Sequence, residues 1–223
     1  MNALRRAVLV AGRELSAERR QPDGLIAALT FTGVLVLVES LAVGPGEARR
    51  PAIAAALFWI ALLFSALFAA ARSFDRELED DAVEAVLALE GGRDALYLGK
   101  VIALSGLLGI VALAGGLLAL VMFDVEVASP LKLVAIVILG VLALAPVVVI
   151  NTLLVLRLRA RTLLVPILAL PLLVPMILAA TQGTALALGG DLGGAWTGWA
   201  GLLVAFGILY GVLGLTIVPV ATE

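Results

Sequence analysis

Glu77, Asp80, Asp81 and Glu84 are the densest group of acidic side chains in the sequence. They stand in a polar island, Arg72 to Lys100, between apolar runs long enough to cross a bilayer. Read as a helix from Phe74 to Leu89 at about 100° per residue, the four acids fall together. Phe74, Leu78, Ala82, Ala85, Val86 and Leu89 form an apolar stripe on another face. The acidic face holds two like-charge pairs four residues apart, Glu77/Asp81 and Asp80/Glu84, each weakening an isolated helix by roughly 0.2–0.5 kcal/mol. A basic partner surface would relieve that repulsion. The plainer alternative is a solvated acidic helix lying on the membrane surface.

Covalent chemistry is poorly supplied elsewhere. The 223 residues include no Cys, which excludes disulfides and thiolates, and no His, which removes the commonest general base and metal or haem ligand. The only lysines, Lys100 and Lys132, do not close a glycine-rich phosphate-binding loop, so the chain alone is not expected to hydrolyse ATP. A membrane hydrolase would need a base or metal ligands that are missing. Glu39 is the one acid at membrane depth. It lies about five residues from the outer end of its span, within snorkelling reach of the headgroups, so an interfacial role is favoured over a transport path. Asn151 and Thr152 read as interhelical hydrogen-bonding groups, and Gly115-Gly116 as a point of close helix contact.

The elements that position the island are membrane helices. With 63% hydrophobic and 14% charged residues and a mean hydropathy of +1.17, the composition is that of an integral membrane protein. Met1 to Asp23 carries Arg5, Arg6, Arg13, Arg19 and Arg20, with Leu4, Ala7, Val8, Ala11 and Leu15 at helical spacing, and reads as a basic amphipathic interfacial helix. A signal peptide is the rival, but the apolar run starts only at Gly24 and is longer than such a peptide needs, so the arm is expected to be retained. The expected architecture is all-α, one transmembrane domain over residues 1–223. Its spans are placed at about 24–43, 52–71, 101–123, 132–156, 162–188 and 201–220, with 72–100 as a loop between the second and third. Pro146 predicts a kink in the fourth span, and Pro166, Pro171 and Pro175 predict a broken fifth. Gly189 to Trp199 reads as an interfacial or short external segment. The arm, the island and the turn with Arg157, Arg159 and Arg161 hold twelve of the 15 Lys and Arg, which under the positive-inside rule places both termini and the island in the cytoplasm.

A basic amphipathic arm, six spans, a long acidic loop between spans two and three and a broken fifth span resemble the membrane subunit of a type-2 ABC exporter. Within that class the sequence most resembles the cytochrome c maturation B family, CcmB, also called haem exporter protein B. The likeness rests on Leu41-Ala42-Val43-Gly44-Pro45, on Phe74-Asp75-Arg76-Glu77-Leu78-Glu79-Asp80-Asp81-Ala82-Val83-Glu84 and on Leu170-Pro171-Leu172-Leu173-Val174-Pro175, and it extends over essentially the whole chain. Asp80-Asp81 stands where the family usually has Asp-Gly.

The resemblance implies a multispan bacterial inner-membrane permease, not itself an enzyme, that pairs with the cytoplasmic ATP-binding subunit CcmA and works beside CcmC, CcmD and the haem chaperone CcmE. It implies that ATP turnover in the partner is coupled to release of haem-loaded chaperone, with haem handled by the partners and no cofactor, metal or nucleic acid bound by this chain. It further implies that residues 72–100 carry a coupling helix, with Phe74 and Leu78 as apolar anchors and Glu77, Asp80, Asp81 and Glu84 facing a basic groove on the ATPase. Pro171, Pro175 and Met176 are the candidates for a partner or cargo path. The alternatives are an exporter of lipid, polysaccharide or another hydrophobic molecule, and a non-transporting assembly scaffold. An ion-coupled transporter fits less well, because membrane-embedded acids are nearly absent.

Overall fold

The computed structural model describes the backbone of residues 3–79, 92–155 and 161–221, and side chains over 5–44, 46–73, 94–153 and 172–216. Among these every regular element is a helix. They are α1 (Ala3–Arg20), α2 (Asp23–Val43), the single turn α3 (Pro45–Ala48), α4 (Pro51–Glu79), α5 (Gly92–Phe123), α6 (Pro130–Val155), α7 (Arg161–Gly189) and α8 (Trp196–Ala221). Six of them, α2 and α4 to α8, are long and apolar enough to cross a membrane, in agreement with the six expected spans. The end of the bundle that carries α1 is called the arm side below.

Local residue chemistry sets the corners. Gly44 takes a left-handed φ of 80° that ends α2, and Pro45 and Pro51 occupy first-turn positions where a missing N–H costs nothing. Pro130 opens α6 in the same way. The segment before it is pinned to the end of α7 by Ala128 and Ser129, whose amides donate to the carbonyls of Leu188 and Ala187 at 3.0 and 2.9 Å.

Two expectations need correction. The fifth stretch is not broken: α7 runs without interruption from Arg161 to Gly189, through all three prolines. Each proline removes one backbone bond, but the flanking bonds persist, and a bilayer penalises an open backbone more than it penalises single missing donors. Second, the helices overrun the expected island. The second span was to end at Ala71, but nothing from Ala66 onward breaks a helix, and α4 continues to Glu79. Likewise α5 begins at Gly92 rather than Val101.

Helices α4 and α6 form the interior, while α2 and α8 lie at the periphery with much of their apolar surface outward, as lipid-facing helices do. Trp59 of α4 is fully buried. Its ring lies so close over Gly140 of α6 that any side chain there would collide with it, and its indole N–H donates to Thr184 of α7 at 2.9 Å. One residue thus locks three helices. Gly115 lets Thr32 of α2 approach α5 in the same way, as expected for the Gly115-Gly116 pair.

Thr32 also lies 2.6 Å from Ser65 of α4, hydroxyl to hydroxyl, and each hydroxyl is 2.8 Å from a carbonyl one turn back, Ala28 and Ala61. Three contacts share two hydroxyl protons, so one acceptor always goes without.

Candidate functional site

The island meets the bundle at the arm-side ends of α4 and α5. The backbone of α4 carries Phe74, Glu77 and Leu78 in helical continuation of the second span. Their side chains, and the whole of Asp80, Asp81 and Glu84, lie outside the described residues. What the structure does describe is how the two stems of this segment are held.

Ser73 at the outgoing stem and Lys100 at the returning stem both meet Glu14 of the arm. The Lys100 Nζ donates to Glu14 Oε1 at 2.9 Å and to Ser73 Oγ at 2.7 Å, and Ser73 Oγ donates to Glu14 Oε2 at 3.1 Å. Lys100 is only 2% exposed, so it is an interior cation rather than the surface charge suggested by its place in the island. At that burial an ammonium is tolerated only when paired and hydrogen-bonded, and the carboxylate and hydroxyl supply both.

The arm reaches this position because its bundle-facing side is made of small residues and acids. Ala7 and Ala11 are buried, Val10 fits against Gly99 of α5 where no larger residue would leave room, and Glu14 and Glu18 continue the same face at four-residue spacing. Glu18 accepts the Leu25 amide at 2.5 Å, closing the start of α2 from the preceding helix across the Gln21-Pro22 corner. The expected apolar stripe is therefore split. Ala7 and Ala11 face protein, while Val8 and Leu15 are exposed at 58% and 39%.

Other arm-side contacts stiffen the same end. Tyr97 of α5 is fully buried against Gly214 of α8 and donates its hydroxyl to the Tyr210 carbonyl at 2.9 Å. Arg72 lies 5.7 Å from the centre of the Phe68 ring. Thr152, buried beside Asn151, donates its hydroxyl to the Val148 carbonyl of its own helix at 2.8 Å and makes no interhelical bond among the described residues.

The proposed path residues differ in burial where they are described. Met176 is 1% exposed and belongs to the core, whereas Pro175 one position earlier is exposed. Pro171 contributes to the α7 backbone, its side chain lying outside the described residues. Glu39 is partly buried near the opposite end, and its Oε2 has no hydrogen-bond partner among the described residues.

Lys132 at the start of α6 donates to Asp191 Oδ2 at 3.0 Å, and Asp191 also accepts the amides of Ala195 and Trp196, capping α8. The Lys132 hydrogen bond, helped by these amides against a partial loss of solvent, holds the Asp191 carboxyl below its ordinary value.

Sequence reasoning missed the Glu14 junction. The available signal was Glu14 and Glu18, four apart on the face of Ala7 and Ala11, where an interfacial arm would have carried apolar residues.

The family profile described as CcmB protein matches residues 5–223, nearly the whole chain. The chain belongs to the CcmB family. Membership implies a permease component of a haem-exporter ABC transporter in cytochrome c maturation, acting with an ATP-binding partner. No curated protein matches the sequence closely enough to add to this assignment.

Proposed function

We propose that this CcmB-family permease takes up the motion of a separate ATP-binding subunit through the acidic segment between α4 and α5, and that the Glu14 junction fixes the pivot. The observation that carries this reading is the bracket: Ser73 and Lys100 stand on either side of the segment, 27 residues apart, and both bond to the same carboxylate. Two stems tied at their base to a third helix can tilt together but cannot splay independently. A push on the segment would then become a shared tilt of α4 and α5, two helices packed on α6.

In this reading the ATP-binding partner is CcmA, and the arm, the segment and both termini lie in the cytoplasm of a bacterium whose inner membrane holds the bundle. CcmC, CcmD and CcmE complete the assembly, and ATP turnover drives release of haem-loaded chaperone. Haem is cargo of the partners. Of the side chains that could ligate it, Tyr97 is bonded to the Tyr210 carbonyl, Tyr210 approaches the Leu172 carbonyl at 3.4 Å, and Met176 is in the core.

The test is co-purification from native membranes, with mass spectrometry of partners, a haem spectrum and cytochrome c yield for two variants. An ATPase is expected in the complex, with haem assigned to another subunit. Phe74→Ala is expected to uncouple or dissociate the complex more than Asp81→Asn, because a buried aromatic anchor contributes more affinity than a rim charge. Wild-type assembly and cytochrome c yield in both variants, or an intact complex without an ATPase, would sink the proposal.

A further inference from the structure

A slot of about 580 Å³ runs between α5 and α6 on the outside of the bundle. Leu113 and Leu117 of α5 and Val134 and Ile138 of α6, all exposed, form its walls, and buried Ala54, Ala55 and Phe58 of α4 form its floor. Val125 and Val127, from the segment joining the two helices, line the far end. Among the described residues no charged side chain lines the slot. Its polar side chains are the hydroxyls of Ser105 and Thr184, and Thr184 already receives the Trp59 indole N–H.

Ser105 differs from the other hydroxyls of the interior. Thr32, Ser65 and Thr152 each lie 2.8 Å from the carbonyl one turn back in their own helix, the usual arrangement for a helical hydroxyl. The Ser105 Oγ is enclosed, yet it has no hydrogen-bond partner among the described residues. An enclosed donor without an acceptor costs more than a hydrogen bond returns, so such a hydroxyl suits an acceptor brought by an occupant of the slot.

Depth and width define that occupant. About 20 residues of 1.5 Å span the roughly 30 Å hydrocarbon core, and counting back from Phe123 places the arm-side boundary near Ala103. Ser105 is thus just inside that boundary, and the slot extends from it to Phe123, about 27 Å along α5. A helix about 10 Å across would fill roughly 2,000 Å³ over that length, several times the volume of the slot. A single hydrocarbon chain fits, entering sideways from the bilayer.

We infer that the slot holds one acyl chain of a diacyl phospholipid, its ester carbonyl accepting from the Ser105 hydroxyl and its chain lying between α5 and α6 over Phe58. Ester carbonyls stand at the edge of the hydrocarbon, the level of Ser105. With no charged group in the lining, the site selects the chain and its ester and ignores the headgroup. The bound chain touches α4, α5 and α6 at once, so it completes the packing on the outer side of the interior helix α4. The inference does not depend on the ATPase reading.

The test uses the full chain purified with its native partners in detergent and photolabelled with a phosphatidylcholine that carries a diazirine in one acyl chain. Labelled residues are mapped by mass spectrometry. Label is expected at Leu113, Leu117, Val134 and Ile138 above the outward residues of α2 and α8, and dioleoyl phosphatidylcholine and dioleoyl phosphatidylglycerol are expected to compete equally. An ether-linked phosphatidylcholine, which lacks the carbonyl, is expected to compete about two- to tenfold less well, the worth of one hydrogen bond. Ser105→Ala is expected to erase that ester preference while leaving Tm unchanged. Gly109 lines the slot and has open space where a side chain would project, so Gly109→Phe fills the slot without a clash and is expected to reduce the label to background. Label spread evenly over all outward faces, undiminished label in Gly109→Phe, equal competition by ester and ether lipids in the wild type, or crosslinking of these positions to a partner's helix in place of lipid would each overturn the assignment.

Discussion

Both ends of the bundle join distant parts of the chain with a lysine and a carboxylate, yet the two joints are built differently. On the arm side Lys100 is enclosed, its side chain 3% exposed, and is held by Glu14 and Ser73 from two other helices. On the opposite side the enclosed partner is the acid: the Asp191 side chain is 2% exposed and caps α8, while the Lys132 side chain that meets it is 37% exposed. Beside it, Arg49 pairs with Asp124 at 61% and 65% side-chain exposure. A buried pair contributes little net stability over an apolar replacement, but it penalises every arrangement that separates its members. An exposed pair penalises almost none. The arm side is therefore fixed by an enclosed cation, whereas on the opposite side the cation of each pair keeps access to solvent.

The sharpest way to break this comparison is Lys100→Ala, which removes the enclosed cation bonded to Glu14 and Ser73. The expected loss is about 3–5 kcal/mol, seen as a fall in Tm of the purified complex. Replacing both partners, Lys100→Met with Glu14→Leu, should recover most of that stability. Cytochrome c yield then separates a structural joint from a coupling joint, because only the second stays impaired when Tm is restored. If Lys132→Ala costs as much as Lys100→Ala, the distinction between the two ends fails.

A smaller effect is expected at Asp191. Its lowered carboxyl contributes stability that is fully present above the ordinary value of 3.8 and is lost as pH falls from there through the lower folded value. Tm measured against pH should therefore show an acid-side contribution confined below about pH 4 that Asp191→Asn removes. A change in slope near neutrality in that variant would contradict the assignment. Arg49→Ala is expected to have the smallest effect, about 0–1 kcal/mol and weaker still in high salt.

The spans, the arm and the corners at Gly44-Pro45, Pro51 and Ser129-Pro130 were legible in the sequence, because length, helical period and the backbone limits of Gly and Pro are local properties. What could not be read was register between helices. Lys100 looked like a loop cation because its partner is far along the chain, and nothing in the run around Gly140 says that Trp59 will lie on it rather than on another glycine. The prolines misled for a related reason. A proline marks a missing donor, but whether the helix bends or stays continuous depends on what packs around it, here α4, α6 and α8. Of the expected docking residues, Phe74, Glu77 and Leu78 lie in the backbone of α4, with Asp80, Asp81 and Glu84 beyond the described backbone.

The bond between Glu14 and Lys100 spans 86 positions of the chain, and that separation orders biogenesis. The arm is made before the third span, and its face cannot close until that span has been inserted and has brought Lys100 and Gly99 into place. Until then Glu14 stays hydrated and the arm remains accessible to the insertion machinery and to proteases. A segment made before its partner thus becomes a late checkpoint, sealed only when the third span is in place.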